Sequence, residues 1–446
     1  NMPEYSFTYS QPVMLDWLRK DDPKTFDQIK EAVKTGRFEL EGGTYVETDG
    51  KIPMGESWCR SRLYGQNWYM ENFGKTAEIE WLPDSFGYNN NIPQFASKSG
   101  AKYFYTQKIT GNFPPDEFPF AHFKWKSPDG SELIAYNNNF TLRPLERWHL
   151  FSHTRRILKP GENLVCNYFS NEPKKSPKLD DIWEIVALVY GTGDGGHGPT
   201  SHEIQQMKYY IEKGYIDSFT TAREYFNRYD EIEDRLPVWE GAELFYNLHR
   251  GTLTTQALMK KMNRFFEWTL TGLETMHTFL STANPSDLKL KGARSIHDTL
   301  HWLWKDTLLM QFHDILPGSS IPEVYDDCYD IWQEDLDNLN EIENAVFQHV
   351  ENVIGPQQRE NDNTDDNGYI VTLLNATDFQ GFTFIEVSIS NEELIQKLKE
   401  GYKPVISRAD GEKKYCQYVE KDETKEKLIN RPDRLLFCAD IPSWGV

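Results

Sequence analysis

Long apolar runs and an excess of positive charge are both missing from this chain of 446 residues. No stretch approaches the ~18 consecutive apolar residues that a membrane-spanning helix needs, so we predict no membrane segment. The formal net charge at pH 7 is −21. A surface this negative repels nucleic acid phosphates and anionic lipids, which excludes both as expected partners. Neutral ligands and cations remain as partners, and a homo-oligomer is compatible with the composition.

Cysteine is scarce, and the five cysteines lie far apart without a CxxC pair. This spacing excludes a disulfide framework and a zinc site built from thiolates. Scattered cysteines favour a reducing compartment, and we therefore expect a cytoplasmic protein. A signal peptide is also missing, although Asn1 and Met2 do not resemble a natural start.

Alternating strands and helices are predicted for residues 1–248. Asp22, followed by proline, predicts the start of a helix. Four apolar segments predict strands: 77–82, 103–105, 132–136 and 185–190. Strands that alternate with helices predict an α/β fold whose sheet is parallel, either open or closed into a barrel.

Long helices are predicted for residues 249–354. Apolar residues recur at helical spacing in three segments, which begin near Leu258, Ile296 and Val324. Three amphipathic helices of this kind predict a small bundle.

The last part of the chain changes character again. Residues 355–368 contain almost no apolar side chain and predict a solvated linker. Beyond it, residues 369–446 begin with β-branched, alternating segments at 369–374 and 382–389. These segments predict the first strands of an all-β domain.

Two acidic residues follow predicted strands. Asp84 lies in residues 81–88 (WLPDSFGY), and Asp194 lies in the glycine-rich residues 190–200 (YGTGDGGHGPT). The carboxyl ends of barrel strands meet at one rim, where active sites collect, so we expect both carboxylates at that rim. The alternatives are a helix-capping role for Asp84 and a phosphate-binding or mobile loop around Asp194.

Two further segments hold candidate site residues. His313 and Asp314 lie at a predicted helix end before a Pro-Gly turn, where the histidine has either a metal-binding or a structural role. Glu243, His249 and Arg250 lie where the α/β part is expected to end, and they are candidate substrate contacts. The alternative for these three residues is a cluster of salt bridges between domains.

Two carboxylates at one rim, together with a histidine, fit glycoside hydrolysis. One carboxylate attacks the anomeric carbon while the other protonates the departing oxygen, and retaining enzymes keep the two ~5–5.5 Å apart. A zinc ion bound through oxygen and nitrogen can polarise sugar hydroxyls. Spacing alone does not separate this chemistry from metal-dependent deacetylation.

Motifs along most of the chain resemble the α-mannosidases of glycoside hydrolase family 38, in particular the branch with cytosolic, vacuolar and microbial members. The segments that carry the resemblance are 10–12 (SQP), 41–49 (EGGTYVETD), 53–57 (PMGES), 81–88, 105–108 (YTQK), 193–200, 249–255 and 312–320. Several motifs of this length in the same order make a chance match implausible.

The resemblance implies an incomplete (β/α)7-type barrel, a three-helix middle domain and the start of a β-sandwich domain. It also implies retaining, exo-acting hydrolysis of α-mannosidic bonds in oligosaccharides or oligomannose glycans, assisted by Zn²⁺ or another divalent cation. Asp84 matches the nucleophile, which in this family also binds the metal, and Asp194 matches the acid/base. His313 matches a metal ligand, and Asp314 matches a contact to a sugar hydroxyl.

Some family features are changed or missing. The remaining metal ligands come from a His-x-Asp type of motif that would precede Asn1, so we expect a fragment that lacks this motif and the C-terminal β domains. Phe245 and Asn247 stand where the family has tyrosine and glutamate, which leaves Glu243 as the retained acid of that segment. Two alternatives to an active mannosidase follow: a catalytically silent fragment, and a mannoside-binding relative that does not hydrolyse.

Overall fold

A computed structural model describes most of the chain. The described residues are 5–109, 118, 120–138, 187, 189–190, 198–214, 217–283, 290–291, 294–359, 373, 375, 377, 380–407, 413–421 and 433–441. The chain forms two compact units, of which the first comprises Asn1–Glu267 and Lys305–Val324 and the second comprises Trp268–Trp304 and Tyr325–Val446.

The described part contains short strands and mostly longer helices. The strands are β1 (Phe7–Tyr9), β2 (Phe38–Leu40), β3 (Ile79–Trp81), β4 (Gly87–Tyr88), β5 (Tyr103–Thr106), β6 (His122–Lys126), β7 (Glu132–Asn137), β8 (Val238–Glu240), β9 (Leu244–Phe245), β10 (Gly381–Ser388), β11 (Val405–Ser407), β12 (Lys413–Tyr415), β13 (Gln417–Val419) and β14 (Arg434–Ile441). The α-helices are α1 (Pro12–Asp21), α2 (Pro23–Lys34), α3 (Gly55–Phe73), α4 (Ile92–Lys98), α5 (Ser201–Glu212), α6 (Ala222–Asn227), α7 (Ala257–Ala283), α8 (Ile296–Leu309), α9 (Pro322–Arg359) and α10 (Glu392–Lys399).

The first unit is built around a five-stranded sheet with the order β3-β5-β7-β6-β8. β3, β5 and β7 run parallel to one another. β6 runs antiparallel to β7 and parallel to β8. The prediction of a parallel sheet is therefore wrong for the β6–β7 pair, and the fold is mixed α/β.

The antiparallel pair has a local cause in the connection between β6 and β7. Residues 127–131 close a tight turn in which Ser127 N–H donates to the carbonyl of Ser131 at 2.9 Å. Gly130 adopts a positive φ of 88°, which glycine tolerates without steric cost. A parallel pair needs a crossover of a dozen or more residues, so a connection this short permits only a hairpin.

Apolar side chains cover both faces of this sheet. Successive strand residues point to opposite faces, so Phe104 packs in one cluster and its neighbours Tyr103 and Tyr105 pack in another. Phe104 is joined by Phe123, whereas the two tyrosines meet the aromatic residues of α6. Burial on both faces fixes the strands, and the loops at their ends can then hold polar side chains.

α2 confirms the helix predicted from Asp22. The Asp22 side chain caps the helix by accepting a hydrogen bond from Thr25 N–H at 3.1 Å. Phe26 and Val33 lie seven residues apart, on the same face of the helix, and both are buried. Burial of side chains of this size stabilises a fold by about 1.5–3 kcal/mol each.

The second unit contains much of the three long helices α7, α8 and α9, which match the three predicted amphipathic segments. α9 continues to Arg359, so the first five residues of the predicted linker 355–368 are helical. The extension includes Gly355 and Pro356, which disfavour a helix, so local propensity does not explain it. Residues 360–368 lie outside the described part of the chain.

The second unit also contains an antiparallel three-stranded sheet with the order β10-β14-β13. β10 confirms the strand predicted at 382–389, whereas most of the strands predicted at 369–374 and 185–190 lies outside the described residues. α10 was not predicted, although Asn391 caps it by accepting from Leu394 N–H at 2.8 Å. Within the described residues, no helix is both long and apolar enough to cross a membrane.

Candidate active site

Asp84 and Lys108 lie at the carboxyl ends of neighbouring strands. Asp84 follows β3, Lys108 follows β5, and these two strands are adjacent and parallel. The ammonium of Lys108 lies 2.9 Å from Oδ1 of Asp84. The side chain of Gln107 donates to the same oxygen at 3.2 Å. The loop after β5 therefore holds the carboxylate that the loop after β3 presents.

The surroundings of Asp84 favour its ionised form. Burial by itself would raise the pKa of this carboxyl group, but Lys108 opposes it through its charge and its hydrogen bond. Gln107 and the nearby His313 also lower the pKa, and the net result is a value below the ordinary one. A carboxylate that stays ionised is ready to act as a nucleophile or as a cation ligand.

A buried segment, residues 41–50, connects the Asp84 loop to the segment that carries His313. On one side, Ser85 Oγ donates to the carbonyl of Thr48, and Asn89 N–H donates to the carbonyl of Gly50, both at 2.8 Å. On the other side, Asp49 N–H donates to the carbonyl of Gln311 at 2.8 Å. The segment thus fixes the distance between two loops that are far apart in sequence.

His313 is buried, with 5% of its surface exposed, and is oriented by Glu47. Its backbone N–H and its ring Nδ1 both lie 3.1 Å from the carbonyl oxygen of Glu47. Donation from Nδ1 leaves the lone pair of the neutral ring on Nε2, which is 3.9 Å from Oδ2 of Asp314. Burial raises the pKa of the Glu47 carboxyl group, against the opposing effects of His313 and of a hydrogen bond from Ser10.

Asp314 is a partly exposed carboxylate beside His313. Ser319 Oγ donates to its Oδ1 at 2.7 Å, and Ser320 Oγ donates to its backbone carbonyl at 2.9 Å. The side chain retains 42% of its exposure. Its second oxygen is therefore suited to accept a hydrogen bond from a hydroxyl group of a ligand.

His249 lies among aromatic rings next to the same group of residues. Its ring stacks on Phe86 and on Tyr246, with centroid distances of 4.6 Å in both cases. Burial and the charge of Lys108 lower the pKa of His249, against the opposing charge of Asp314. Near neutral pH this imidazole is thus a neutral, flat surface rather than a cation.

Glu243 and Arg250 form a separate group around Phe245. Glu243 makes a salt bridge with Lys51, and Lys51 lies over the Phe245 ring at 4.2 Å from its centroid. The Arg250 guanidinium lies 4.6 Å from the same centroid. Among the described residues, neither Glu243 nor Arg250 forms a hydrogen bond or salt bridge with Asp84. The structure therefore brings together Asp84, His249, His313 and Asp314, and sets the other two candidates beside them.

Asp84 and His313 supply donors of the kind that a zinc ion takes. A carboxylate oxygen and an imidazole Nε2 whose ring is fixed by a second hydrogen bond fit such a site. In the part of the chain that the structure describes, no third His, Cys, Asp or Glu completes a metal-binding group with them. The two residues thus fit half of a four-coordinate shell. Asp194, the predicted acid/base, lies outside the described residues.

Sequence reasoning missed the roles of Lys108 and Glu47. Lys108, like Asp84, closely follows a predicted strand, and that similar position was the available signal. The contact of Glu47 with His313 joins residues 266 apart in sequence, which no local pattern indicates.

Two family models match the chain. The model described as "Glycosyl hydrolases family 38 N-terminal domain" matches residues 1–242, and the "Alpha mannosidase middle domain" matches residues 247–350. Alpha-mannosidase G of Dictyostelium discoideum is 32% identical over 88% of the chain and 35% of its own length. The alpha-mannosidase of Saccharomyces cerevisiae is 34% identical over 72% of the chain and 29% of its own length. Human alpha-mannosidase 2C1 is 32% identical over 73% of the chain and 29% of its own length.

Solved structures agree in fold. The crystal structure of an alpha-mannosidase from Enterococcus faecalis V583 matches with a TM-score of 0.60 and 16% identity, over 100% of the chain and 51% of that protein. A glycosyl hydrolase family 38 protein from Enterococcus faecalis matches with a TM-score of 0.53 and 15% identity. The chain spans 29–35% of the length of the three curated relatives named above. Since the family 38 model covers residues 1–242, more than half of the 446 residues, the chain belongs to glycoside hydrolase family 38.

Proposed function

We propose that the chain carries the catalytic site of an enzyme that hydrolyses α-mannosidic bonds with retention, acting at the ends of oligosaccharides or glycans. The observation that carries the proposal is the ionised Asp84, held at the carboxyl end of β3 by Lys108 and Gln107. Membership of family 38 supports the substrate class, because three relatives bear the name alpha-mannosidase.

In the proposed mechanism, Asp84 is the nucleophile. Lys108 and Gln107 both contact Oδ1, so we assign the attack on the anomeric carbon to Oδ2. The C–O bond to the leaving group breaks as the bond to Oδ2 forms, which gives a glycosyl-enzyme ester. Asp194 gives its proton to the departing oxygen and then takes a proton from the water that hydrolyses the ester.

The other residues would bind and orient the sugar. Asp314 would accept a hydrogen bond from a sugar hydroxyl, and His249 with Phe86 would present a flat apolar surface to the ring. Asp84 and His313 would hold a zinc ion or another divalent cation, together with ligands outside the described residues. When bound, such an ion polarises the hydroxyls of the sugar. Glu243 and Arg250 would contact a more distant part of the substrate.

The proposal extends to architecture and location. We place the catalytic residues of 1–248 in an incomplete (β/α)7-type barrel, followed by a three-helix domain at 249–354 and the start of a β-sandwich domain at 369–446. A reducing, cytoplasmic location is consistent with the free Cys59, Cys328, Cys416 and Cys438. Measurement of the fraction of the native protein in the cytosol would test the location.

Substitution of the nucleophile tests the proposal. With an aryl α-mannoside as substrate, Asp84→Asn should lose at least 100-fold in kcat, which corresponds to about 2.7 kcal/mol of activation free energy. Asp129→Asn, an exposed carboxylate in the β6–β7 turn, is the matched control and should retain full activity. Asp194→Asn should lower the turnover of substrates with poor leaving groups more than that of substrates with good ones, because a good leaving group needs no proton. Unchanged turnover in Asp84→Asn would remove Asp84 as the nucleophile.

One observation favours a second candidate, a mannoside-binding chain without turnover. The described residues supply two metal donors, and a cation, Lys108, already lies against Asp84. Equilibrium binding of mannose and its α-glycosides, measured beside turnover with and without a chelator, separates the two functions. Binding without turnover, and without bound zinc in metal analysis, would favour the second candidate.

A further inference from the structure

The motif at residues 10–12 has no role in the proposed mechanism, and neither has Glu47 of the motif at residues 41–49. In the structure they meet. Ser10 Oγ donates to Oε1 of Glu47 at 2.5 Å, and the side-chain oxygen of Gln11 accepts from Glu47 N–H at 3.2 Å. One residue of the first motif therefore holds the side chain of Glu47, and the next residue holds its backbone.

Gln11 makes its contact from a strained backbone. Its φ of 64° lies in the left-handed region, which among the described residues other than glycine is shared only with Gln256. Such a conformation is unfavourable for a residue with a Cβ atom. It persists only where the surroundings fix it, and here Pro12 begins α1 while Val13 N–H donates to the carbonyl of Tyr45.

Glu47 in turn contacts His313 in two ways. Its carbonyl oxygen lies 3.1 Å from both the backbone nitrogen and Nδ1 of His313, and its Oε2 lies 3.7 Å from Nδ1. Ser10, Glu47 and His313 are all buried, with 8%, 8% and 5% of their surfaces exposed. Every oxygen that approaches Nδ1 favours a proton on that nitrogen, which leaves Nε2 as the acceptor or ligand atom.

We propose that Ser10, Gln11 and Glu47 form a support that fixes the imidazole of His313 in the Nδ1–H tautomer. Glu47 is a positioning residue: it acts through His313 and does not touch the substrate. The inference rests on the proposed function only for the use made of Nε2, because the support itself is defined by contacts within the chain.

The ring nitrogens can be observed directly in the whole chain labelled with ¹⁵N-histidine. A long-range ¹H–¹⁵N spectrum at about pH 8, where an ordinary imidazole is neutral, distinguishes a protonated Nδ1 from a protonated Nε2. The His313→Gln variant identifies the signal by its loss. We expect the wild-type ring to show a single Nδ1–H tautomer without added metal or substrate.

Variants of Glu47 and Ser10 separate the support from general stability. Glu47→Ala removes the carboxyl group and its bond to Ser10, so the His313 signal should shift toward a mixture of tautomers. Glu47→Gln keeps an oxygen that accepts from Ser10, so it should restore the wild-type signal. Glu41→Gln is the matched control, because Glu41 is also buried in the same segment but accepts from Ile79 N–H. Its spectrum should match the wild type.

Two results would overturn the support: an Nε2–H ring in the wild type, or a fixed Nδ1–H ring in Glu47→Ala. If Glu47→Ala does not fold, Ser10→Ala removes only the hydroxyl group and takes its place, with an unchanged ring again counting against the proposal. These spectra report the tautomer of His313 and do not depend on whether the enzyme turns over substrate. Failure of the proposed function and failure of the support are therefore distinguishable.

Discussion

The ammonium nitrogen of Lys108 lies 2.9 Å from Oδ1 of Asp84, and each side chain projects from a loop that follows one of two neighbouring parallel strands. The two side chains are 25% and 32% exposed, so the pair contributes about 1 kcal/mol or less to folding. Its larger effect is on the pKa of Asp84, which it lowers against burial. The lowered pKa stabilises the folded state at any pH above the pKa of an unfolded aspartate, ~3.9. This stabilisation is lost as the pH falls through the lower pKa of Asp84 in the folded state.

Removal of Lys108 should alter the pH dependence of the reaction. Lys108→Met removes the group that most strongly opposes the burial of Asp84, so the pKa of Asp84 rises. The acidic limb of kcat/KM against pH should move to higher pH by about one pH unit or more. Lys108→Arg keeps the charge and should keep the limb near its wild-type position. Lys102→Met, which removes an exposed partner of Glu78, is the control, and an acidic limb shared by all four proteins would contradict the assigned role of Lys108.

Stacking on His249 should matter more than its proton. Because its pKa is lowered, His249 is neutral near neutral pH, and His249→Phe preserves a flat ring between Phe86 and Tyr246. We expect His249→Phe to stay within about 3-fold of wild-type kcat/KM, and His249→Ala to raise KM about 2- to 10-fold, as expected for an aromatic contact worth 0.5–1.5 kcal/mol. Steady-state kinetics on an aryl α-mannoside provide the measurement. Equal and large losses in both variants would instead indicate a proton-transfer role.

Gly50 should not tolerate a side chain. A Cβ atom at this position would lie 2.1 Å from the backbone oxygen of Gly87, in β4, which ends the loop that carries Asp84. Gly50→Ala must therefore push that loop away, and we expect a lower melting temperature together with at least 10-fold lower activity, since a misplacement near 1 Å can cost about 100-fold. Gly272→Ala is the contrasting variant, because its Cβ meets no atom within 4 Å and its helix gains about 1 kcal/mol. Wild-type activity in Gly50→Ala would show that the loop position is not critical.

The buried pair of Arg62 and Glu80 should dominate the stability of the first unit. The two side chains are 1% and 0% exposed and lie 2.5 Å apart. Loss of one member of a buried pair typically costs about 3–5 kcal/mol of the free energy of unfolding. Near pH 6 the cost of Arg62→Met should lie at the lower end of this range. Burial raises the pKa of Glu80 to about 7 even with Arg62 present, so without Arg62 the glutamate takes up a proton.

This cost should grow with pH. Above neutral pH the unpaired Glu80 must either ionise in the interior or hold a proton against the solvent, and both destabilise the folded state. Urea unfolding followed by circular dichroism at about pH 6 and about pH 8.5 measures the difference. Lys34→Met, in an exposed pair with Glu31, should change the free energy of unfolding by no more than about 0.5 kcal/mol at either pH. A pH-independent loss in Arg62→Met would contradict the explanation.

Local signals predicted local structure. The cap at Asp22 depends on residues within one helical turn, and α2 begins where the sequence places it. The position of Asp84 after a strand is also local, because Pro83 cannot continue the ladder. The neighbours of Asp84 could not be predicted in this way, because they depend on which strand pairs with β3. Glu47 and His313 are further removed, because their contact requires three separate segments to meet in the interior.

The hairpin direction of β6 determines at which end of the sheet the chain re-enters it. His122, the first residue of β6, is paired with Tyr136 near the end of β7, and Tyr136 is paired with Tyr105 near the end of β5. Thr106 and His122 therefore lie at the same end of the sheet, the end that presents Asp84 and Lys108. Gln107 and Lys108, which contact Asp84, stand at the start of the connection from Thr106 to His122. An exchange of this connection between relatives must therefore retain Gln107 and Lys108 if Asp84 is to keep both partners.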